Sequence, residues 1–361
     1  MSRALRFLAP IAVFGVLALV PLLSVDTRGL FASPLDSPGT LQLLGLCLVF
    51  GGLALTYDLL FGFTGLLSFG HALYFAIGVY VTNIAITHWG FGMWAALALT
   101  AAVGLLVPLV VGAISLRVSG IAFAMVTLAF AQAGSILVSK NPDKLTGGEE
   151  GLGLDFEPLP DFFVGVLNTK NLYWTALAYL IIVCAVAWWA VASSPGRVWQ
   201  AIRENEQRVE VLGLRPFSFK LIAFVVGSFL ATIGGVVYLL LIGGSTPEVT
   251  TANFTLTLLL MVVIGGTGTR WGAVIGGILY TYLDNRLLNV AGSNAVQDLP
   301  GFLRTPLSEP LFVLGVVFIL IVYFFPGGLV GLSARGRRRG RRLIESAVGR
   351  SRTEEHAEAG V

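Results

Sequence analysis

What most constrains this chain is a recurrence. Uncharged apolar stretches return along it, at Phe7–Val25, Leu41–Leu55, Gly92–Leu116, Leu172–Ala192, Leu221–Ile242 and Leu311–Phe325. Hydrocarbon offers a bare backbone no hydrogen-bonding partner, so segments of about 20 apolar residues cross it as helices. Only 12% of the 361 residues are charged, whereas a soluble domain keeps its surface wet with roughly a quarter. The chain reads as an all-α, polytopic membrane protein.

Ten spans are expected, at 7–25, 41–61, 65–87, 92–116, 119–139, 171–192, 219–242, 252–268, 271–289 and 309–325. Charge orients them. With the N-terminus inside, seventeen of the 23 basic residues fall on inner segments, chiefly Arg3 and Arg6, the loop from Arg197 to Lys220, and the tail from Arg335 to Arg352. Basic segments resist translocation, so that side is cytoplasmic and holds both termini. Removing one span would put either the 193–218 loop or the tail on the wrong side. The first run follows two arginines as a signal peptide would, but no small-x-small cleavage site comes after it, so it is expected to stay as a span.

Ten spans divide as five plus five, and an odd number per half makes the halves inverted. Inverted repeats are a common transporter plan, with broken helices at matching places. Gly62–His71 (GFTGLLSFGH) opens the third span, and Gly243–Asn253 (GGSTPEVTTAN) opens the eighth. Both are rich in Gly, Ser and Thr where a membrane helix would be seamless. Residues 1–332 are expected to form one transmembrane domain, and 333–361 a basic, disordered cytoplasmic tail.

The inner loop 193–218 reads SSPGRVWQAIRENEQRVEVLGLRPFS. Ser194 and Pro195 form a helix start, because proline lacks only an N–H that the first turn leaves unbonded anyway. Gly213 with Pro216 forms a stop. Between them Val198, Ile202, Val209 and Leu212 share one stripe, while Arg197, Arg203, Glu204, Glu206, Arg208 and Glu210 occupy the remainder. This predicts one short amphipathic helix over 195–213. It either lies on headgroups or packs on its own bundle, or it docks in a groove of a soluble partner. Its mixed charges favour protein over anionic lipid.

Several of these residues also carry a resemblance. Arg203–Gly213 (RENEQRVEVLG) resembles the coupling region of branched-chain amino acid ABC importers. Thr56–His71 with Gly78-Val-Tyr80, Thr146–Leu152 (TGGEEGL), Met261–Gly268 (MVVIGGTG) with Gly272 and Gly276-Gly277, and Phe325–Gly331 (FPGGLVG) resemble further motifs of that family, in its order. The likeness covers about residues 40 to 332. It implies a permease subunit in a bacterial inner membrane that pairs with a second, homologous membrane subunit. Two cytoplasmic ATPases and an extracytoplasmic substrate-binding protein would complete the importer, with the 195–213 helix coupling the ATPases to the spans. ATP and magnesium would belong to those partners. Consistently, none of the four lysines follows a glycine, so no GxxxxGK[ST] phosphate loop exists. No Ser/His/Asp or HExxH constellation offers catalysis either.

Ser68, His71, Asn83 and Gln132 are candidates for the translocation path, since polar groups within spans either serve transport or bond between helices. His71 and the small residues around it also suit tight packing. Asp58 either lines the path or sits at the cytoplasmic interface, and the latter fits the topology. In the family, amino acid importers often carry an amide there and related urea permeases an acid, so urea or a short amide is the alternative substrate. An ion-coupled secondary transporter would need an acid within a span and would leave the 193–218 helix unexplained. The glycines from Gly265 to Gly277 are expected to permit close helix packing. The outer loop 140–170, with six acids, is either a solvated loop or a docking surface for the binding protein. Cys47 and Cys184 read as small hydrophobes, and His88 and His356 have no companion at ligand spacing, so no metal is assigned. The arginine run Arg335–Arg342 fits anionic headgroups and has no folded support for nucleic acid.

Overall fold

The structure, a computed structural model, describes residues 3–24, 31, 33–165, 168–291, 310–324 and 327–330. The tail 333–361 with its arginine run, and most of the outer segment 290–308, lie outside the described residues. Five of the described helices, at Pro38–Thr64, Met93–Ser115, Ile121–Lys140, Thr169–Ala192 and Pro216–Ile242, are long and apolar enough to cross a membrane. They are among the helices near the expected spans, which are α1 (Arg3–Leu19), α2 (Pro38–Asp58), α3 (His71–Thr87), α4 (Met93–Ser115), α5 (Ile121–Lys140), α6 (Thr169–Ala192), α9 (Pro216–Ile242), α10 (Ala252–Gly265), α11 (Gly272–Ala291) and α12 (Pro310–Phe324). Two short helices, α7 (Ser194–Glu204) and α8 (Glu206–Val211), join α6 to α9. The pairs β1 (Leu152–Gly153) and β2 (Gly244–Ser245) are antiparallel, with Leu152 opposite Ser245.

The centre is α2. Ser37 caps it, accepting from Thr40 N at 3.4 Å, with Pro38 in the first turn. Its second half is apolar on every side, and a helix without a polar face must be covered all round. It is: α6, α9 and α11 pack against it, and Val49, Leu53, Leu55 and Leu59 are buried. The crossing of α3 and α9 is close because glycines face each other there. A Cβ on Gly78 would strike the Thr232 carbonyl, and one on Gly235 the Phe75 carbonyl. Small residues allow such approach where no hydrophobic force drives helices together in lipid. The α10–α11 crossing repeats this at Gly265 and Gly276, as expected for that glycine set.

Outside this core, α4 and α5 leave Leu105, Leu106, Ile121, Met125, Ile136 and Leu137 exposed. Apolar helices with that much bare apolar surface are built for lipid or for another membrane subunit. Tryptophans mark two levels. Trp89, Trp94 and Trp174 lie at one end of the helices, and Trp188, Trp189 and Trp271 at the other, as the aromatic belts of a bilayer interface do.

The structure corrects the sequence reading at four places. The 195–213 helix is two helices, because Asn205 leaves the helical region and its Oδ1 accepts from Arg208 N at 3.0 Å, starting α8 afresh. The hydroxyl that caps α7 is that of Ser193, which accepts from Gly196 N, one residue before the expected Ser194. The third span begins as a helix only at His71, since α2 runs on as a π-helical turn through Leu59–Thr64 and stops at Gly65 with φ 79°. The helix predicted to reach 268 ends at Gly265, because Gly266 takes φ 112°.

Candidate functional site

At the end of the molecule that carries α7 and α8, three chain segments meet. Asp58 closes α2 and is fully buried. Its carboxylate accepts from Gly268 N with both oxygens, at 2.9 and 3.2 Å. Arg203, near the end of α7, donates to the Gly62 carbonyl and presents its charge to Asp58. No side chain fits between them: a Cβ on Gly62 would land on the Asp58 carboxylate and the Gly268 amide. The short helices are thus bonded to the break after α2, and that break to the turn between α10 and α11. A buried carboxylate needs such partners, since an uncompensated charge is costly to desolvate.

Two further anchors seat the short helices. The Trp199 indole donates to the Phe219 carbonyl at 2.8 Å, and Lys220 pairs with Glu206. Ile202 and Val209 are buried against the chain's own bundle and Val198 is half-buried. Of the predicted stripe only Leu212 is free, 78% exposed beside Val211 at 88%. Arg197 and Glu204 are exposed. Gly213 stops α8 as expected, with φ 81°, its N–H bonded to Glu210 O and that of Leu214 to Val209 O. That is the glycine-terminated helix end in which a left-handed residue satisfies the last carbonyls.

The second break lies at the opposite end of α3. There Asn83, fully buried, donates to Leu152 O at 2.8 Å and Ser245 Oγ at 3.1 Å, and accepts from Thr87 Oγ1 at 2.9 Å. One amide thereby pins the 140–170 loop and the break before α10 to α3. Between α3 and α5 lies a cavity of about 180 Å³, lined by Leu73, Ile77, Tyr80, Ser135, Val138 and Thr250.

The four path candidates therefore separate. Ser68 and His71 share the inner break: Ser68 Oγ accepts from Gly70 N, and His71 Nε2 meets Thr56 Oγ1 at 2.9 Å. Because Thr56 gives its own proton to Leu53 O, His71 must be the donor, which leaves Nδ1 as a bare acceptor. Among the described residues Nδ1 has no partner, nor have the hydroxyls of Tyr57, Tyr74 and Ser228. Tyr57 and Tyr74 hold the imidazole edge-on at 5.3 and 6.4 Å. Asn83 is committed to the outer break, and Gln132 lies on the exposed side of α5. Tyr57, Tyr74 and Ser228 were not legible as polar neighbours, because each looks like ordinary filling of an apolar helix. Among the described residues no cluster of metal-ligating side chains occurs.

Comparison with known proteins gives this geometry a context. Residues 39–322 match the family described as the branched-chain amino acid transport system permease component. The high-affinity branched-chain amino acid transport system permease protein LivM of Escherichia coli is 26% identical over 319 residues, covering 82% of this chain and 71% of that protein. A probable LivM of Methanocaldococcus jannaschii is 31% identical over 136 residues, 37% of this chain and 39% of that one. The autoinducer 2 import system permease protein LsrC of Yersinia pseudotuberculosis is 28% identical over 190 residues, 50% of this chain and 48% of its own. No solved structure matches.

Proposed function

The chain belongs to this branched-chain amino acid permease family of ABC transporters, and on that premise we propose that it forms half of the path of an ATP-driven importer for branched-chain or other hydrophobic amino acids. It is a multi-pass transport subunit and not an enzyme. The observation that carries the reading is the bond from Arg203 to Gly62. It links the short helices, which present Leu212 and Val211 outward and still touch the core, to the break after α2. Movement of α7 would shift that break and, through Asp58, the turn at Gly268.

In this reading all ten long helices span, in a five-plus-five inverted arrangement. The breaks at Gly65–Gly70 and Gly243–Thr251 support it, since they sit at opposite ends in equivalent places of the two halves. The end with α7 and α8 is cytoplasmic, as its basic residues require. Two ATPases dock there and a homologous subunit completes the path. A substrate-binding protein meets the outer loop 140–170. The cavity between α3 and α5, apolar but for the hydroxyls of Tyr80, Ser135, Thr146 and Thr250, suits a branched aliphatic side chain. Asp58 is spent on Gly268 and Arg203, so it supports neither urea nor an ion-coupled mechanism.

Leu212→Asp tests the docking. The residue is exposed, so the variant should insert and melt like the parent, but co-purify less ATPase and lose uptake of leucine in proteoliposomes. Unchanged ATPase association and uptake would remove the docking role. For the substrate, calorimetry of the cognate binding protein should give leucine, isoleucine or valine as ligand. Binding of urea alone would overturn the amino acid reading.

A further inference from the structure

A second, larger cavity lies away from the path. It holds about 560 Å³ and is lined by α1, α6 and the start of α11, with Phe14, Ile181, Cys184, Trp188 and Trp271 among its walls and Arg270 at its mouth. Trp188 and Trp271 meet edge to face at 4.8 Å, and Phe14 leans on Trp271 at 5.9 Å. The Trp188 indole donates to the Arg270 carbonyl at 3.2 Å, which fixes the backbone from which the guanidinium projects. Among the described residues Arg270 is exposed and has no acidic partner. Trp189, 75% exposed, stands beside it.

We propose that this groove binds one anionic phospholipid, with an acyl chain against Phe14, Ile181 and Trp271 and the phosphodiester on Arg270. Two observations choose this occupant. The groove opens at the level of the tryptophans and of Gly268, two residues before Arg270, and that is the level of headgroups in a membrane chain. Its wall is apolar while its mouth holds, among the described residues, one uncompensated positive charge, the distribution of a phospholipid in reverse. Basic pockets between helices at this level recognise anionic headgroups. That the leaflet is the cytoplasmic one rests on the proposed orientation; the binding itself does not.

The test is native mass spectrometry of the full chain titrated with phosphatidylglycerol or phosphatidylcholine, together with photo-crosslinking in the assembled importer. Phosphatidylglycerol should bind the parent more tightly than phosphatidylcholine, and Arg270→Ala should remove roughly fivefold of that preference, the worth of one basic residue near a headgroup. Arg270→Lys should restore it, and Ala185→Trp, which fills the groove, should weaken both lipids. Arg117→Ala, at another turn on the same end, should change nothing. A photoreactive residue at Trp189 should capture lipid. Equal preference in parent and Arg270→Ala, or capture of a permease or ATPase subunit at Trp189, would overturn the proposal. Uptake is a separate readout, so failure here leaves the importer reading standing.

Discussion

The two breaks in the helical run are held in different ways. At the inner one a carboxylate, a guanidinium and two glycines interlock, with Asp58 on Gly268 N and Arg203 on Gly62 O. At the outer one a neutral amide, Asn83, holds the β1–β2 pair through Leu152 and Ser245. A charged junction is stronger per bond but tolerates no loss of a partner, because a buried charge left alone is costly. A neutral one depends on donor and acceptor matching and little on field. The difference fits a division of labour. Under the proposed importer reading, the junction at Asp58 would pass motion from α7 into the spans, whereas the one at Asn83 would only keep a loop in place.

The sharpest way to break the comparison is steric. Gly62→Val should be the most damaging change, about 3 kcal/mol, the upper end for forced overpacking, because its side chain has only Asp58 and Gly268 to displace. Thermal unfolding can be followed by labelling Cys47 and Cys184, which are buried thiols. A Gly62→Val chain that melts with the parent would mean the junction is loose, and its role in transmission would go with it.

Reciprocal swaps sharpen the contrast. Asn83→Asp removes both donated bonds and sets a charge beside the Leu152 carbonyl, so it should cost about 2 kcal/mol and lower uptake through a misplaced 140–170 loop. Asp58→Asn keeps an oxygen for Gly268 N but loses the charge facing Arg203. It should cost about 1.5 kcal/mol in melting, yet uncouple ATPase activity from substrate more than Asn83→Asp does. If Asn83→Asp were the better tolerated in melting, or the more uncoupled, the assignment of charge to coupling and neutrality to anchoring would be reversed.

The smallest effect belongs to Gly213→Ala. Its φ of 81° penalises any side chain by about 1 kcal/mol, and open space surrounds it. Only a slight melting shift is expected, with some loss of ATPase association because the exposed Leu212 adjoins it. A loss as large as that of Gly62→Val would show that the end of α8 belongs to the rigid core.

How much of this was legible in the residues divides along a physical line. Hydropathy is local and the bilayer sets a fixed length, so the positions of the long apolar helices, among them α2, α4, α5, α6 and α9, could be read directly. Gly213 could be read as a stop for the same reason: a left-handed helix end needs glycine whatever surrounds it. The breaks at Gly62–His71 and Gly243–Asn253 were visible as composition. What the residues could not disclose is which side of each apolar helix is inward. A helix such as α2 is apolar all round and carries no face to read, and the stripe of α7 and α8 signals only that something covers it. The structure shows that the chain's own bundle covers Ile202 and Val209, leaving Leu212 out. The partners of Asp58 and Arg203 lie 210 and 141 residues away, so no spacing pattern could announce them. Asn205 breaks the predicted helix because its side chain bonds the backbone better than a continuing turn would, a local contest settled by the anchors that Trp199 and Glu206 make on α9. Local chemistry thus determined where the helices are; only packing across the bundle decided which of their atoms are wired together.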